Sequence, residues 1–163
     1  MLQSAVLNVK LPAPMLEHDG PPHQPSAADA ALLILADPSL DSRISLIGSN
    51  TLELLCALVR RGSADDLATR VSDRPPAGTV DVAVIPQVAL PDCLERSIAH
   101  ARRALAPLGT TATHLTADPA AALAQQAGYL LLLHGFTAIR IVNVSDETFI
   151  RAEFPLHGGL ACA

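Results

Sequence analysis

The chain has 163 residues, a length that fits one domain with one hydrophobic core. Eleven basic and sixteen acidic residues give a net charge of -5 and are spread out, which argues against a nucleic-acid-binding protein. The three cysteines form no Cys-x-x-Cys pair, and the apolar runs, such as residues 130–133, are too short to cross a bilayer. We therefore expect a soluble, cytoplasmic protein with reduced thiols.

The first 25 residues are rich in proline, which excludes regular structure over residues 11–25. Residues 3–9 fit either an edge strand or a packed arm. Ser26 is a good N-cap for a helix over residues 27–36. The predicted organisation is a proline-rich arm (1–25), an α/β domain (26–155) and a tail or linker (156–163).

The next elements alternate between strand and helix. The apolar run at residues 44–47 predicts a buried strand, and Asn50 or Thr51 then caps a helix that stops at Gly62. A weaker strand follows at residues 67–71. The stretch "VDVAVIP", residues 80–86, predicts another buried strand.

The second half continues the alternation. The pattern predicts a helix over residues 91–106 that is ended by Pro107 to Gly109, and a strand over residues 110–115. Asp118 and Pro119 begin a further helix, which stops at Gly135. The chain closes with strands predicted at residues 139–144 and 148–154. We expect a three-layer α/β fold, with a mostly parallel sheet and an antiparallel edge strand.

The order of "ISLIGSNTLELL", "VDVAVIPQVAL" and "ARRALAPLGTTATHL" resembles the class I S-adenosylmethionine-dependent methyltransferases over residues 27–155. The resemblance implies a shortened, Rossmann-like methyltransferase fold. It also implies that an S-adenosylmethionine site would use Gly48, Ser49 and Asn50 in the first loop and Asp73 at the ribose.

The sequence departs from that family in the cofactor loop. Ser45 stands where the enzymes have an acidic residue, and Asn50 and Leu52 replace the second and third glycines. Only seven residues separate Asp73 from Asp81, whereas a minimal crossover needs about 10 to 12 residues. The adenine side of the pocket is therefore predicted to lack a helix and a strand.

A shortened domain of this kind is similar to the N-terminal domain of the anamorsin family. That resemblance implies a non-catalytic scaffold or interaction domain in cytosolic iron-sulfur cluster assembly, with a diflavin reductase as partner. The iron-sulfur clusters would lie in a cysteine-rich region outside this chain. A small methyltransferase with an atypical cofactor loop, or another nucleotide-binding module, stays open beside it.

Other candidate residues give weaker signals, and no catalytic residue or metal site is predicted. None of the six histidines pairs at ligand spacing, although His114 lies near a strand's carboxyl end. Asp81 fits a solvated strand start, and Gln87 is better placed for chemistry. Cys93 begins a helix, which can lower a thiol pKa. Three arginines on one helix form either a solvated surface or a docking patch for an acidic protein: Arg96, Arg102 and Arg103.

Overall fold

The computed structural model describes residues 25–49, 51–62, 67–69, 74–117, 120–144 and 147–156. These residues form four helices and six strands in alternating order. The elements are α1 (Ala27–Ala36), β1 (Ile44–Ile47), α2 (Leu52–Arg60), β2 (Leu67–Thr69), β3 (Val80–Val88), α3 (Pro91–Ala104), β4 (Leu105–Leu115), α4 (Ala120–Leu133), β5 (Thr137–Val144) and β6 (Glu147–Glu153).

All six strands belong to one sheet, in the order β2-β1-β3-β4-β6-β5. The pairs among β2, β1, β3 and β4 are parallel, as expected for strands joined through helices. Strand β6 is antiparallel to both β4 and β5, so β6 lies inside the sheet and β5 forms the edge. The predicted three-layer α/β fold, with a mostly parallel sheet and an antiparallel edge strand, is confirmed.

The helices begin largely where local sequence signals place them. The Ser26 hydroxyl accepts a hydrogen bond from the Asp29 backbone N–H at 3.1 Å, which caps α1 as predicted. Helix α3 begins at Pro91, whose missing N–H costs nothing in a first turn. The predicted start of α4 at Asp118 and Pro119 lies outside the described residues. Among the described helices, none has the length and apolar character needed to cross a membrane.

The junction between α3 and β4 differs from the prediction. The helix ends at Ala104, and β4 begins at once with Leu105, so Pro107 and Gly109 lie inside the strand. The pairing of β3 with β4 shifts between Val80 and Val82, because residues 106–109 bulge out of the ladder. Backbone hydrogen bonds to Phe154 hold this bulge in place. Because Phe154 is distant in the sequence, the residues around Pro107 and Gly109 alone do not predict these contacts.

Each face of the sheet carries its own hydrophobic core. On one face, α3 and α4 cover strand residues such as Ile85, Leu115 and Ile150. On the other face, α1 and α2 cover Leu46, Val84 and Phe149 among others. Leucine, isoleucine, valine and alanine supply most of both cores, which suits helices packed on a sheet.

The amino ends of β1 and β3 are joined by an ion pair between Arg43 and Asp81. The guanidinium donates to both carboxylate oxygens, at 2.8 and 3.0 Å, and the Arg43 backbone N–H adds a third bond. These hydrogen bonds hold the pKa of the Asp81 carboxyl below its usual range. Asp81 is therefore a partly exposed structural residue at the amino edge of the sheet.

Candidate functional site

The candidate site lies at the carboxyl ends of β1 and β3. From β1 the chain runs through α2 to β2 on one side, and it then crosses to β3 on the other side. The connections that follow these two parallel strands lead to opposite sides of the sheet, to β2 after β1 and to β4 after β3. A crevice forms between two such strands, and open α/β sheets bind ligands at that point. Gly48 follows β1 here, and Pro86 and Gln87 form the end of β3.

Gly48 is required by its backbone conformation rather than by crowding. Its φ angle is +145°, a region that residues with a Cβ rarely adopt. A Cβ at this position would lie 3.8 Å from the Pro86 carbonyl oxygen, which is ordinary van der Waals contact. The glycine therefore sets the direction of the turn from β1 into α2, and this turn faces the end of β3.

The end of β3 is broken at Pro86 and Gln87. Proline has no N–H for the ladder, and the pairing with β4 shifts between Ile85 and Val88. Gln87 has a φ angle of +53°, which is uncommon for a residue with a side chain. Such conformations concentrate at functional sites, and Gln87 is exposed. A proline inside a buried strand is the sequence signal for this feature.

The beginning of α2 forms the floor of the crevice. Thr51 is its N-cap but makes no side-chain capping hydrogen bond. Leu52 is 71% exposed, so its side chain extends into solvent rather than packing across the turn. Ser49 is exposed as well. The other two predicted cofactor residues, Asn50 and Asp73, lie outside the described residues.

Ser45, which the resemblance places at the acidic position, does not reach the crevice. It is only 1% exposed and pairs with Ala83 and Leu67 inside the sheet. The two residues after it, Leu46 and Ile47, are fully buried and apolar. Strand β1 therefore brings no acidic side chain to its carboxyl end.

The segment before β3 is held at the amino edge of the sheet. Backbone N–H groups of Gly78 and Thr79 donate to carbonyl oxygens at the end of α3, at 3.0 and 2.8 Å. The Arg103 guanidinium donates to the Pro75 carbonyl at 2.9 Å. Residues 74–79 contain neither helix nor strand, and four residues separate Thr69 from Arg74. Four residues are too few for the helix and strand that were predicted to be missing.

Several solved structures that share this fold are methyltransferases. A geranyl diphosphate C-methyltransferase from Streptomyces coelicolor aligns with a TM-score of 0.58 and 9% identity, over 78% of both chains. An S-adenosylmethionine-dependent methyltransferase from Aquifex aeolicus aligns with a TM-score of 0.57 and 12% sequence identity, over 78% of this chain and 89% of that one. The fold is methyltransferase-like.

Human N-acetylserotonin methyltransferase, solved with S-adenosylmethionine, aligns with a TM-score of 0.57 and 11% sequence identity, over 79% of this chain and 52% of that one. The chain likewise spans 54 to 66% of the length of three other matched structures. The sequence matches no protein-family model and no curated protein. Identities this low establish the fold alone, so the resemblance to the anamorsin family stays a prediction.

His114 is buried close to the carboxyl end of β4. Its ring stacks on Phe149, with centroids 4.7 Å apart and an interplanar angle of 17°. The Glu147 carboxylate lies 3.8 Å from Nε2, and neither ring nitrogen has a hydrogen-bond partner within the described part of the chain. Burial lowers the pKa of His114 below its usual 6.5, although the Glu147 and Asp29 carboxylates act in the opposite direction.

We expect His114 to make the stability of the fold depend on pH. The unfolded chain binds a proton near pH 6.5, while the folded chain resists protonation, so its stability is complete above pH 6.5 and falls as the pH drops. The largest slope for one group is about 1.4 kcal/mol per pH unit. Urea unfolding at pH 7.5 and 5.5 should show a smaller loss for His114→Phe than for the wild type. Equal losses in both proteins would contradict this role.

The three arginines of the predicted docking patch take part in contacts within the fold. The Arg102 guanidinium lies 4.3 Å from the centre of the Phe154 ring and donates to the His134 carbonyl at 3.1 Å. Arg103 holds Pro75, as described above, and Arg96 donates to the Asp92 carbonyl at 3.1 Å. A docking role for these residues stays a prediction.

Residues suited to metal or thiol chemistry are dispersed. Within the described ranges, no three His, Cys, Asp or Glu side chains come together in a way that could hold a metal ion. Cys93 lies in the first turn of α3, is half-buried, and is a free thiol. The carboxyl ends of β1 and β3 therefore remain the candidate site.

Proposed function

We propose that this chain binds an S-adenosylmethionine-type ligand at the crevice between β1 and β3 and acts as a small methyltransferase with an atypical cofactor loop. One observation carries the proposal: the turn that requires Gly48 faces the proline-broken end of β3, where Gln87 is exposed in a left-handed conformation. This juxtaposition lies at the place where open α/β sheets bind nucleotides.

The residues around the crevice fit such a ligand in part. The Gly48–Ser49 turn would support it through the backbone, and the Gln87 amide offers both a donor and an acceptor. When bound, the ligand supplies a sulfonium methyl group to a nucleophile. The protein would contribute orientation and the exclusion of water. Glu53 lies in the first turn of α2 and would repel an anionic group placed there.

The experiment is a calorimetric titration of the full chain with S-adenosylmethionine and S-adenosylhomocysteine. We expect micromolar binding that Gly48→Ala weakens at least tenfold, about 1.4 kcal/mol, because the added Cβ disfavours the turn's backbone conformation. Gln87→Ala removes the amide and should weaken binding about fivefold, the order expected for one hydrogen bond.

Gly78→Ala is the matched control, because Gly78 also has a positive φ angle, +65°, with open space around it. It lies at the amino edge of the sheet, so this substitution should leave the dissociation constant within about twofold. No heat signal with millimolar ligand, from a protein shown to be folded by circular dichroism, would rule out the proposal.

A second candidate is the non-catalytic interaction domain, which the short crossover before β3 favours. Residues 74–79 are held against the end of α3, leaving few residues to enclose the adenosine half of a ligand. Under this proposal the domain holds a protein partner in iron-sulfur cluster assembly, and that partner is a diflavin reductase. The clusters would belong to a cysteine-rich region beyond this chain.

The two candidates separate in one set of measurements. No binding signal with S-adenosylmethionine, ATP or NAD, together with micromolar binding of a purified diflavin reductase, would support the interaction domain. Binding of S-adenosylmethionine without binding of the reductase would support the methyltransferase. A response to ATP or NAD alone would instead indicate another kind of nucleotide-binding module.

A further inference from the structure

The edge of the sheet at β5 is long, regular and apolar. Among the described strands, β5 pairs with β6 alone, and its last four residues do so without a shift in register. Three of those four, Ile141, Val142 and Val144, are 48%, 37% and 47% exposed. The other edge strand, β2, has only three residues. A long apolar edge presents backbone N–H and C=O groups to which another strand can bind.

Successive side chains of β5 lie on opposite faces of the sheet. Val142 is paired with Phe149, which belongs to the core beneath α1 and α2. Ile141 is paired with Ile150, which belongs to the core beneath α3 and α4. Paired residues of antiparallel strands share a face, so the exposed apolar side chains of β5 are divided between the two faces.

The face that carries Val142 has a fixed order of charges. At one end of the β5-β6 pair Arg140 lies opposite Arg151, and at the other end Val144 lies opposite Glu147. Arg140 and Glu147 are both exposed. This edge is therefore cationic at one end, apolar in the middle and anionic at the other end, an order that complements itself when the strand is turned round.

We propose that β5 pairs in antiparallel fashion with β5 of a second copy of this chain, about a two-fold axis at Val142. Arg140 then lies opposite Val144 of the second copy, in the same row as Glu147 of that copy. Two strand spacings separate Arg140 from this Glu147, about 10 Å, which two long side chains can bridge. The symmetry makes this ion pair twice.

The charges select this register over its neighbours. An axis at Arg140 would place two arginines directly opposite each other, which is unfavourable. An axis at Ile141 would place Arg140 in one row with Val142 and Phe149 of the second copy, where it meets no carboxylate. The axis at Val142 instead gives an apolar centre with an ion pair on each side.

Helix α4 fits the same arrangement. It packs on β5 and β6, so joining two β5 strands places the two α4 helices about 10 Å apart, which is a normal distance for packed helices. Leu132 and Leu133 are both exposed and lie on opposite flanks of α4. One of them therefore faces α4 of the second copy. The pairing covers apolar side chains on both faces of the sheet.

Sedimentation velocity of the full chain tests the proposal. We expect a reversible dimer with a dissociation constant on the order of micromolar, as for a modest interface. Arg140→Glu and Glu147→Arg should each weaken the dimer at least tenfold, because each turns two attractions into two repulsions. The double variant exchanges the charges and should restore the constant to within about threefold.

Two exposed positions on helices provide matched charge reversals. Arg61→Glu at the end of α2 and Glu95→Arg on α3 change the net charge by the same amounts as the two β5-β6 variants. We expect both to leave the dissociation constant within about twofold. A dimer that all four reversals weaken equally would overturn the proposal. A protein that stays monomeric up to about millimolar concentration would also overturn it and would leave the edge to a different strand.

Cross-linking tests the register. With Cys56, Cys93 and Cys162 replaced by serine, Val142→Cys should form a disulfide between two chains in oxidised glutathione, because the two-fold axis brings both cysteines to a bondable distance. Ile141→Cys should react more slowly, since its two copies are offset along the strands. Faster cross-linking of Ile141→Cys, or equal rates for both variants, would overturn the proposed axis.

Discussion

Replacing Phe149 with alanine should lower the free energy of unfolding by about 3–5 kcal/mol, the range for deleting a fully buried aromatic side chain. Phe149 is 2% exposed and lies in the core between the sheet and helices α1 and α2. It also supports the His114 ring by stacking, and the substitution would leave a cavity beside that imidazole. Urea unfolding at pH 7.5 measures the change.

Two variants serve as controls for this substitution. Phe149→Leu keeps much of the buried volume and should cost clearly less than Phe149→Ala. Tyr129→Ala removes an aromatic ring that is 66% exposed on α4, and surface substitutions of this kind usually change stability by about 0.5 kcal/mol or less. Similar losses for Phe149→Ala and Tyr129→Ala would contradict the described core.

Gly109→Ala should destabilise the fold by about 1–3 kcal/mol, because the added methyl group has no space. A Cβ at Gly109 would lie 2.8 Å from the Leu105 side chain, 2.9 Å from the Ala106 carbonyl oxygen and 3.0 Å from that of Asp81. Two of these neighbours are backbone atoms, which cannot rotate away. Relief would require the bulge in β4 to move away from β3.

Gly128→Ala is the opposite case and a direct control. Gly128 lies within α4, and outside its own helix backbone and chain neighbours no atom lies within 4 Å of an added Cβ. Alanine in a helix is favoured over glycine by about 1 kcal/mol, so this variant should be more stable than the wild type. If thermal or urea unfolding finds Gly109→Ala more stable than Gly128→Ala, the bulge is described incorrectly.

The Gly109 prediction bears on the candidate crevice through the pairing of β4 with β3. Strand β3 supplies Pro86 and Gln87 and is hydrogen-bonded along its other edge to β4, which contains the Gly109 bulge. Gly109→Ala therefore perturbs the amino end of a strand whose carboxyl end lies in the crevice. The ligand titration should accordingly be interpreted on variants such as Gly78→Ala, whose positions have open space.

Local patterns were sufficient for most of the elements. The predicted bounds of α1 and β1 agree with the structure, because Ser26 caps the helix and residues 44–47 are continuously apolar. The strand containing Gly109 was placed too late in the chain, since proline and glycine usually end an element. Here they lie within a bulge that contacts Phe154, 45 positions further along the sequence.

The candidate site, like the fold, was predictable from local sequence only in part. Gly48 was identified from the strand, turn and helix pattern around it, and its positive φ angle agrees with that reading. Its neighbour Pro86 lies 38 positions later, and the break of β3 at Gln87 depends on pairing with β4. Leu52 stands where the resemblance has the third glycine, and its place at the start of α2 leaves its side chain exposed to solvent.

By itself, the sequence determined the α/β class, the alternation of strands and helices and the glycine turn after β1, because each follows from hydrophobic period and local backbone preference. Only the tertiary structure decided the strand order, the proximity of Gly48 to Pro86 and the burial of His114 against Phe149. These features join residues that are distant in sequence. Their free energy comes from packing and pairing between elements, which short-range patterns do not encode.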